Sequence, residues 1–248
     1  MTVTIDGKAC ACEPGECLLN VARRNRIPIP TFCNHEGLPG LGCCRVCIVE
    51  AVIRGRGSIV SSCVYPVEEE CTVYTNNDRV KRQRRTVLAM LRACAPGAER
   101  VARLCKMYGV PEYGRFAEQP GEKCILCGLC VKACQSLGTS AIAAVNRGVD
   151  KAVSTPYGKP SADCVGCGSC ARVCPTGAIE MTEDGTTRTI WKKEFRLQIC
   201  ERCGKPAGTV EELDLAAKKA GQGPVLLCAE CRKKAITDVM AVTYGWAR

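Results

Sequence analysis

The sequence of 248 residues has few aromatic residues and almost no histidine. It contains two tryptophans, six tyrosines, three phenylalanines and a single histidine, His35. With one histidine, a Ser/His/Asp or Cys/His catalytic constellation is not expected. The sequence also lacks a G-x-G-x-x-G motif after a strand and lacks a P-loop, so no nucleotide site is expected. We therefore predict that this chain contains no catalytic site of its own.

Long hydrophobic segments are missing as well. No apolar run approaches the roughly 18 residues that a membrane helix needs. The first residues, MTVTIDGKACACEPGE, contain neither the basic n-region nor the apolar h-region of a secretory signal. Cysteine, in contrast, is abundant: the count of 23 is odd, and many fall in C-x2-C clusters. In a reducing compartment such clusters are metal ligands rather than disulfides. We predict a soluble, cytoplasmic metalloprotein that does not insert into a membrane.

The formal net charge of +10 is the one feature that suggests nucleic acid as a partner. A metal centre held by four thiolates carries about −2, because its ligands are deprotonated. Four such centres would contribute about −8 and leave about +2. Aromatic residues interleaved with the basic ones, typical of single-strand binding, are lacking. We expect no nucleic-acid partner, and a redox-inert zinc and nucleic-acid module is the rival hypothesis.

Composition and periodicity divide the chain into four segments: 1–78, 79–117, 118–185 and 186–248. The first begins with a β-hairpin about Asp6-Gly7, followed by a helix around CLLNVARR and by short strands. The second is helical, with Pro96-Gly97 separating two helices. The third contains an internal repeat, and the fourth has two C-x2-C pairs on either side of a helical stretch, VEELDLAAKKAG. This pattern predicts an α+β chain whose small segments are stabilised by metal centres.

The internal repeat is the strongest motif. Its two copies have the spacing C-x2-C-x2-C-x3-C: Cys124, Cys127, Cys130 and Cys134, then Cys164, Cys167, Cys170 and Cys174 followed by Pro175. This is the bacterial ferredoxin arrangement, in which the fourth cysteine of each copy ligates the cluster of the other copy. We predict one 4Fe–4S cluster on Cys124, Cys127, Cys130 and Cys174, and a second on Cys164, Cys167, Cys170 and Cys134. Two zinc knuckles are the alternative.

A second site is predicted in CNHEGLPGLGCCRVC and the SSC that follows it. These stretches offer Cys33, Cys44, Cys47 and Cys63 as ligands of a 2Fe–2S cluster. The C-x2-C step from Cys44 to Cys47 is that of plant-type sites, and choosing Cys43 would lengthen it. We therefore interpret Cys44 as the ligand and Cys43 as a small packed residue. The same structural role is expected of Cys10, Cys12, Cys17, Cys71, Cys94 and Cys105.

Taken together, these motifs resemble a known group of proteins. VTIDG, a helix, IPTFCNHEGL and the C-x10-C-x2-C step resemble the N-terminal domain of iron-only hydrogenases. With CILCGLCVKAC and DCVGCGSCARVCPTGAI, the chain is also similar to the large iron–sulfur subunit of respiratory complex I and to the diaphorase small subunit of NAD-linked nickel–iron hydrogenases. The resemblance covers residues 1–185. It implies a β-grasp 2Fe–2S domain, a helical connector and a two-cluster 4Fe–4S ferredoxin domain.

The chain departs from these relatives between the two sites. The relatives usually hold one more 4Fe–4S cluster there, on one histidine and three cysteines. Here that segment offers only Cys94 and Cys105, so we predict that this cluster is lost and that a plain helical hairpin remains. The hairpin contains six arginines, which we predict to form a solvated face, with docking to an acidic partner as the alternative: Arg82, Arg84, Arg85, Arg92, Arg100 and Arg103.

The last site is formed by CERCGKP and LCAEC, which contain Cys200, Cys203, Cys228 and Cys231. Two such knuckles are typical of a structural zinc site with all four positions filled. We predict a zinc-ribbon-like module, with a further 4Fe–4S cluster as the competing hypothesis. The surrounding TIWKKEFRLQICERCGK resembles the C-terminal extension of ferredoxin-like subunits in formate- and hydrogenase-linked complexes.

These features predict an electron-transfer subunit of a larger oxidoreductase. Its cofactors would be one 2Fe–2S cluster, two 4Fe–4S clusters and one zinc ion, and such cofactors carry the redox chemistry. By resemblance, its partners are a flavin- and NAD-binding subunit and a catalytic subunit. The catalytic subunit is expected to be a hydrogenase, and an electron-bifurcating hydrogenase that also uses ferredoxin is one form of this expectation. An NAD-linked formate dehydrogenase and a free-standing ferredoxin are the alternatives.

Overall fold

The structure is a computed structural model that describes residues 1–112, 114, 116 and 120–245. The boundary predicted between residues 117 and 118 lies outside the described residues. The chain forms two compact units. Unit 1 comprises Met1–Ala133 and Val173–Ala178, and unit 2 comprises Cys134–Arg172 and Ile179–Arg248. Each unit therefore contains cysteines from both copies of the repeat.

Unit 1 contains a five-stranded mixed sheet, a helix packed against it and a helical hairpin. Its elements are β1 (Thr2–Ile5), β2 (Lys8–Ala11), β3 (Glu16–Cys17), α1 (Leu18–Arg24), β4 (Ile48–Ile53), β5 (Arg56–Ser61), β6 (Pro66–Val67), β7 (Thr72–Tyr74), α2 (Asp78–Cys94), α3 (Glu99–Met107) and the first turn of α4 (Leu129–Leu137). The strand order in the main sheet is β2-β1-β7-β4-β5, and β3 pairs with β6 in a separate ladder.

The predicted hairpin and first helix are confirmed. β1 and β2 pair antiparallel across Asp6 and Gly7, which both have positive φ (46° and 83°), as a tight two-residue turn requires. Helix α1 buries the apolar face that its periodicity predicted, and Leu18 and Val21 share a core with Val73 of the sheet. One face of the sheet is thereby shielded from water.

The predicted helical hairpin is confirmed as α2 and α3. Asn77 caps α2 by accepting a hydrogen bond from the Val80 amide at 2.9 Å, which satisfies one of the free N–H groups of the first turn. Leu88 of α2 and Val101 of α3 are fully buried, and they lie in one apolar cluster with Phe32 and Val46. The hairpin therefore packs against the loop that contains Cys33 and Cys44.

The prediction of a uniformly solvated arginine face is wrong at one position. Arg84 is among the largest fully buried side chains, with an exposed fraction of 1%. It lies at i+4 from Val80 and i−4 from Leu88, on the buried face of α2. Four of the other arginines are exposed, as a solvated face requires: Arg82, Arg85, Arg100 and Arg103. Arg92 is half-buried.

Unit 2 contains a four-stranded antiparallel sheet, a small ladder and three helices. Its elements are the end of α4, β8 (Ala143–Val145), β9 (Ala152–Ser154), α5 (Ser169–Arg172), β10 (Met181–Glu183), β11 (Thr187–Ile190), β12 (Lys193–Ile199), β13 (Pro206–Thr209), α6 (Val210–Ala220) and α7 (Ala229–Tyr244). The strand order is β10-β11-β12-β13, and β8 pairs with β9. None of the helices within the described ranges is long and apolar enough to span a bilayer.

The predicted helix in VEELDLAAKKAG is confirmed as α6. Thr209 accepts a hydrogen bond from the Glu212 amide, and the Glu212 carboxylate accepts one from the Thr209 amide. This reciprocal capping box fixes the start of the helix. At its other end, Gly221 has a left-handed conformation (φ 62°), which closes the last turn.

Leu88→Ala tests whether the hairpin core stabilises unit 1. The leucine side chain is fully buried, so we expect a loss of about 2–5 kcal/mol and a lower thermal midpoint for unit 1. Met90→Ala, on the same helix but 52% exposed, is the matched control and should change stability by less than about 0.5 kcal/mol. Calorimetry of the two variants measures both thermal midpoints and shows whether Leu88→Ala lowers the midpoint more than Met90→Ala does. Equal midpoints would contradict a core between the hairpin and the cysteine loops.

Candidate iron–sulfur and metal centres

The four cysteines predicted for the 2Fe–2S site lie together in unit 1. The Sγ atoms of Cys47 and Cys63 are 3.3 Å apart, and the Cys44 amide donates to Cys33 Sγ at 3.4 Å. Cys33 is the focus of the group: hydrogen bonds from the thiols of Cys43, Cys44 and Cys63 hold its pKa far below the ordinary value. A hydrogen bond from Cys63 likewise lowers the pKa of Cys47 to about 6. A thiolate site of this kind suits an iron centre, which binds deprotonated cysteine.

The prediction that Cys43 is a small packed residue is wrong. Cys43 is exposed, whereas Cys44 is buried. The Cys43 thiol contacts Cys33 and donates a hydrogen bond to the carbonyl of Cys127 at 3.2 Å. It therefore connects the loop of the 2Fe–2S site to the loop that begins the first copy of the repeat. Sequence spacing placed Cys43 outside the C-x2-C step, but it gave no sign of this contact with Cys127.

A second group in unit 1 consists of Cys124, Cys127, Cys130 and Cys174. Burial and the like charges of Cys127, Cys124 and Cys174 raise the pKa of Cys130 to about 12. The backbone points N–H groups at the sulfurs: Leu126 N lies 3.4 Å from Cys124 Sγ, and Ala178 N lies 3.3 Å from Cys174 Sγ. Clustered thiols with N–H donors fit a cluster, because iron ligation removes the protons and N–H···S bonds stabilise the thiolates.

The corresponding group in unit 2 consists of Cys164, Cys167, Cys170 and Cys134. All four line one pocket, together with Gly166, Gly168, Ile142, Ile190 and Trp191. The Ala141 amide donates to Cys134 Sγ at 3.2 Å. A mainly apolar pocket lined by four thiols fits an iron–sulfur cluster, because the apolar side chains around such a site limit its contact with solvent.

Glycine occupies three positions in the loops that contain the cysteines of the repeat. Gly128, Gly166 and Gly168 all have positive φ (75°, 67° and 70°). A Cβ atom on Gly166 would lie 2.5 Å from Phe195 Cγ, and one on Gly168 would lie 2.6 Å from Met181 Sδ. At Gly166 and Gly168, both the backbone conformation and the lack of space for a Cβ atom therefore require glycine.

Two side chains at the unit 2 site were missed by the sequence analysis. Trp191 Nε1 donates to Cys170 Sγ at 3.4 Å, and Lys193 Nζ donates to the carbonyl of Cys164 at 2.9 Å. Both belong to the β11–β12 turn, where Trp191 and Lys192 have positive φ (53° and 59°). Such non-glycine residues in a left-handed conformation often mark functional sites. In the sequence, the one sign that these residues could contact the unit 2 cysteines was the position of TIWKKEF shortly after the repeat.

The C-terminal cysteines form the tightest group. The Sγ atoms of Cys200, Cys203, Cys228 and Cys231 all lie within 4.8 Å of one another. Cys203 follows β12, and Cys231 lies in the first turn of α7. A hydrogen bond from the Cys228 amide lowers the pKa of Cys200 to about 6, and one from the Cys231 amide lowers the pKa of Cys228. This arrangement is a candidate site for one metal ion.

The remaining cysteines are mostly core residues, as predicted. Cys10, Cys12, Cys71 and Cys105 are buried, and Cys105 lies in the hairpin core. Cys17 is half-buried and donates to the Ser62 carbonyl at 3.2 Å. Cys94 is exposed, so structural filling is not its role.

Comparison with known proteins agrees with this set of sites. Residues 1–78 match the family described as "2Fe-2S iron-sulfur cluster binding domain", and residues 123–178 and 163–209 match the "4Fe-4S dicluster domain". The chain thus combines a ferredoxin-like 2Fe–2S domain with a 4Fe–4S dicluster domain, which together bring one 2Fe–2S and two 4Fe–4S clusters. It is an iron–sulfur electron-transfer subunit.

Its relatives are subunits of hydrogenases and of NADH oxidoreductases. The chain is 34% identical over 210 residues to the NADP-reducing hydrogenase subunit HndD of Solidesulfovibrio fructosivorans, covering 72% of this chain and 36% of the relative. It is 31% identical over 229 residues to an NADH-quinone oxidoreductase subunit of Rhizobium meliloti, covering 82% and 26%. The chain therefore spans about a third or less of the length of these two relatives.

A solved structure supports the same relationship. A chain of an NAD⁺-reducing NiFe-hydrogenase in the H2-reduced state aligns with a TM-score of 0.61 and 29% identity, covering 71% of this chain and 85% of that chain. The predicted resemblance to hydrogenase and complex I subunits is therefore confirmed: the chain is homologous to both.

Gly166→Ala tests the close approach at the unit 2 site. The added methyl group would meet the Phe195 ring, so we expect lower thermal stability of unit 2 and loss of about one cluster's iron. Gly158→Ala is the matched control, because Gly158 has nearly the same φ (66°) but nothing within 4 Å of the added Cβ. Thermal unfolding and iron analysis of the two variants are compared. If both variants lose equal iron and stability, backbone strain alone is the cause and the contact with Phe195 is irrelevant.

Proposed function

We propose that Cys33, Cys44, Cys47 and Cys63 are the ligands of the 2Fe–2S cluster. The contacts of Cys33 with Cys44 and Cys63, and of Cys47 with Cys63, support this set. Both Cys43 and Cys44 contact Cys33, so this contact does not show which of the two is the ligand. Burial favours Cys44, because Cys44 is buried, whereas Cys43 is exposed and its thiol donates a hydrogen bond to the Cys127 carbonyl. The five-stranded sheet with α1 against it also supports the β-grasp assignment of residues 1–78.

The two 4Fe–4S clusters are assigned to crossed ligand sets. One is held by Cys124, Cys127, Cys130 and Cys174, the other by Cys164, Cys167, Cys170 and Cys134. Support comes from the electrostatic interaction of Cys174 with the first three thiols and of Cys134 with Cys164 and Cys170. The four-segment organisation (1–78, 79–117, 118–185 and 186–248) is part of the same proposal.

The C-terminal group is assigned to one zinc ion in a zinc-ribbon-like module. A tetrahedral ion with Zn–S bonds of about 2.3 Å places its sulfurs about 3.8 Å apart. The observed limit of 4.8 Å, with 3.6 Å between Cys203 and Cys228, is close to this spacing. A 4Fe–4S cluster binds its four thiolates at four different irons, so it needs a wider group. Within the described residues, neither of the two four-cysteine sets in the repeat is as compact as the C-terminal group.

The chain relays electrons within a larger oxidoreductase. When bound, the clusters supply one-electron redox chemistry, and the protein sets their environment. The cysteine groups and their N–H donors are the observation that carries this function. By homology to hydrogenase subunits, the electrons pass between a flavin- and NAD-binding subunit and a catalytic hydrogenase subunit, with ferredoxin as a further exchange partner. The resemblance of TIWKKEFRLQICERCGK to ferredoxin-like subunits of formate-linked complexes makes an NAD-linked formate dehydrogenase the second candidate.

Metal content and reductive titration test this function. Anaerobically purified chain should contain about 10 iron and about 1 zinc, and dithionite should deliver about three electrons to EPR-visible clusters. NADH or H2 alone should reduce none of them, because this proposal places the sites for NADH and H2 on the partner subunits. About 14 iron without zinc would contradict the zinc assignment, and little iron would contradict electron transfer altogether.

Paired cysteine variants test the crossed assignment. Cys174→Ala and Cys124→Ala should alter the same 4Fe–4S signal in the EPR spectrum, because both ligate one cluster. Cys134→Ala and Cys164→Ala should alter the other signal. Cys94→Ala is the control, since this exposed cysteine belongs to none of the groups, and it should leave iron content unchanged. If Cys174→Ala instead matches Cys164→Ala, each copy of the repeat holds its own cluster and the assignment is wrong.

A further inference from the structure

Arg84 is a buried cation directly behind the 2Fe–2S site. Its side chain lies on the core face of α2, with an exposed fraction of 1%. Burying an isolated charge is costly unless a counter-charge compensates it. The side chain is nevertheless held by hydrogen bonds along its whole guanidinium, which suggests that its position is selected for its charge as well as its shape.

All of its hydrogen-bond acceptors are neutral. Nε donates to the Val46 carbonyl at 3.0 Å, and Nη2 donates to the carbonyls of Ile48 and Thr75 at 2.5 and 3.1 Å. Nη1 donates to the Tyr108 hydroxyl at 3.3 Å and to Asn76 Oδ1 at 3.5 Å. None of the ion pairs within the described residues involves Arg84.

The negative charge that can compensate Arg84 is that of Cys47, a proposed ligand of the 2Fe–2S cluster. Val46 and Ile48 flank Cys47, so the guanidinium holds the backbone on both sides of this cysteine. Burial lowers the pKa of Arg84, and the nearby charges that raise it are those of Tyr108 and Cys47. A 2Fe–2S cluster with four thiolates carries about −2 when oxidised and gains one more negative charge on reduction. A fixed cation nearby therefore stabilises the reduced form more than the oxidised form.

We propose that Arg84 is the electrostatic counter-ion of the 2Fe–2S site and raises the reduction potential of its cluster. The inference rests on the proposed ligand set of that site. None of the Arg84 hydrogen bonds goes to a ligand sulfur. Arg84 acts through the electric field of its guanidinium and by holding the backbone on both sides of Cys47, so it is a positioning residue. The step it influences is the uptake of one electron by the cluster, supplied in the test by dithionite or an electrode, with no proton transferred.

Charge removal at Arg84 is the first test. In an EPR-monitored redox titration of the whole chain, Arg84→Gln should disfavour reduction of the 2Fe–2S cluster about tenfold, a shift of about 59 mV to lower potential for one electron. Arg84→Lys keeps the charge and should restore most of that shift. Arg85→Gln is the matched control, since Arg85 is exposed on the same helix and bonds the Tyr108 carbonyl. It should leave the potential close to that of the unmodified chain.

The outcomes separate a field effect from a structural one. An unchanged potential in Arg84→Gln with a full cluster would overturn the proposal, and so would equal shifts in Arg84→Gln and Arg84→Lys. If neither variant retains the cluster, Asn76→Asp decides, because it offers the guanidinium a carboxylate with little change of shape. A lower potential in Asn76→Asp supports the proposal, and an unchanged potential overturns it. Absence of a 2Fe–2S signal in the unmodified chain would instead contradict the proposed function.

Discussion

The apolar core between the α2–α3 hairpin and two cysteine loops is the contact on which unit 1 depends. Leu88 and Val101 of the hairpin share this core with Cys33 and Cys44 of the 2Fe–2S loop and with Cys127 of the first repeat. The ligand loops have little regular structure of their own, so packing against a rigid hairpin is what holds their sulfurs in place. The Cys43 thiol adds a direct hydrogen bond between the two loops. One core therefore supports two redox sites.

Unit 2 also holds its cysteine loops by packing, but with fewer apolar side chains. Its largest buried side chains, such as Phe195 and Ile190, come from the four-stranded sheet, and Ile190 lines the cysteine pocket. Within the described residues, the partly buried apolar side chains packed against the buried cysteines of the C-terminal knuckles are Ala207 and Leu227. A segment with so small a core would gain much of its stability from a bound metal, as the proposed zinc site implies.

Much of this could be predicted from the sequence, because cluster ligation imposes short and regular spacings. The C-x2-C steps identified the cysteine groups, and helical periodicity identified α1, α2, α3 and α6. The role of Cys43 could not be predicted, because its partner is a backbone carbonyl 84 positions away. Arg84 could have been found: it lies between Val80 and Leu88 on the buried face of α2, but its charge favoured a surface position. Trp191 depends on a turn geometry that spacing does not encode.

We propose that one core holds the 2Fe–2S site and the neighbouring 4Fe–4S site close enough for electrons to pass between them, as the Cys43–Cys127 hydrogen bond indicates. EPR spectra recorded during stepwise reduction test this proposal most directly. We expect the signal of the reduced 2Fe–2S cluster to broaden or split when a 4Fe–4S cluster is also reduced, and Cys124→Ala to abolish this effect. A 2Fe–2S line shape that stays the same from partial to full reduction would contradict a relay through this core.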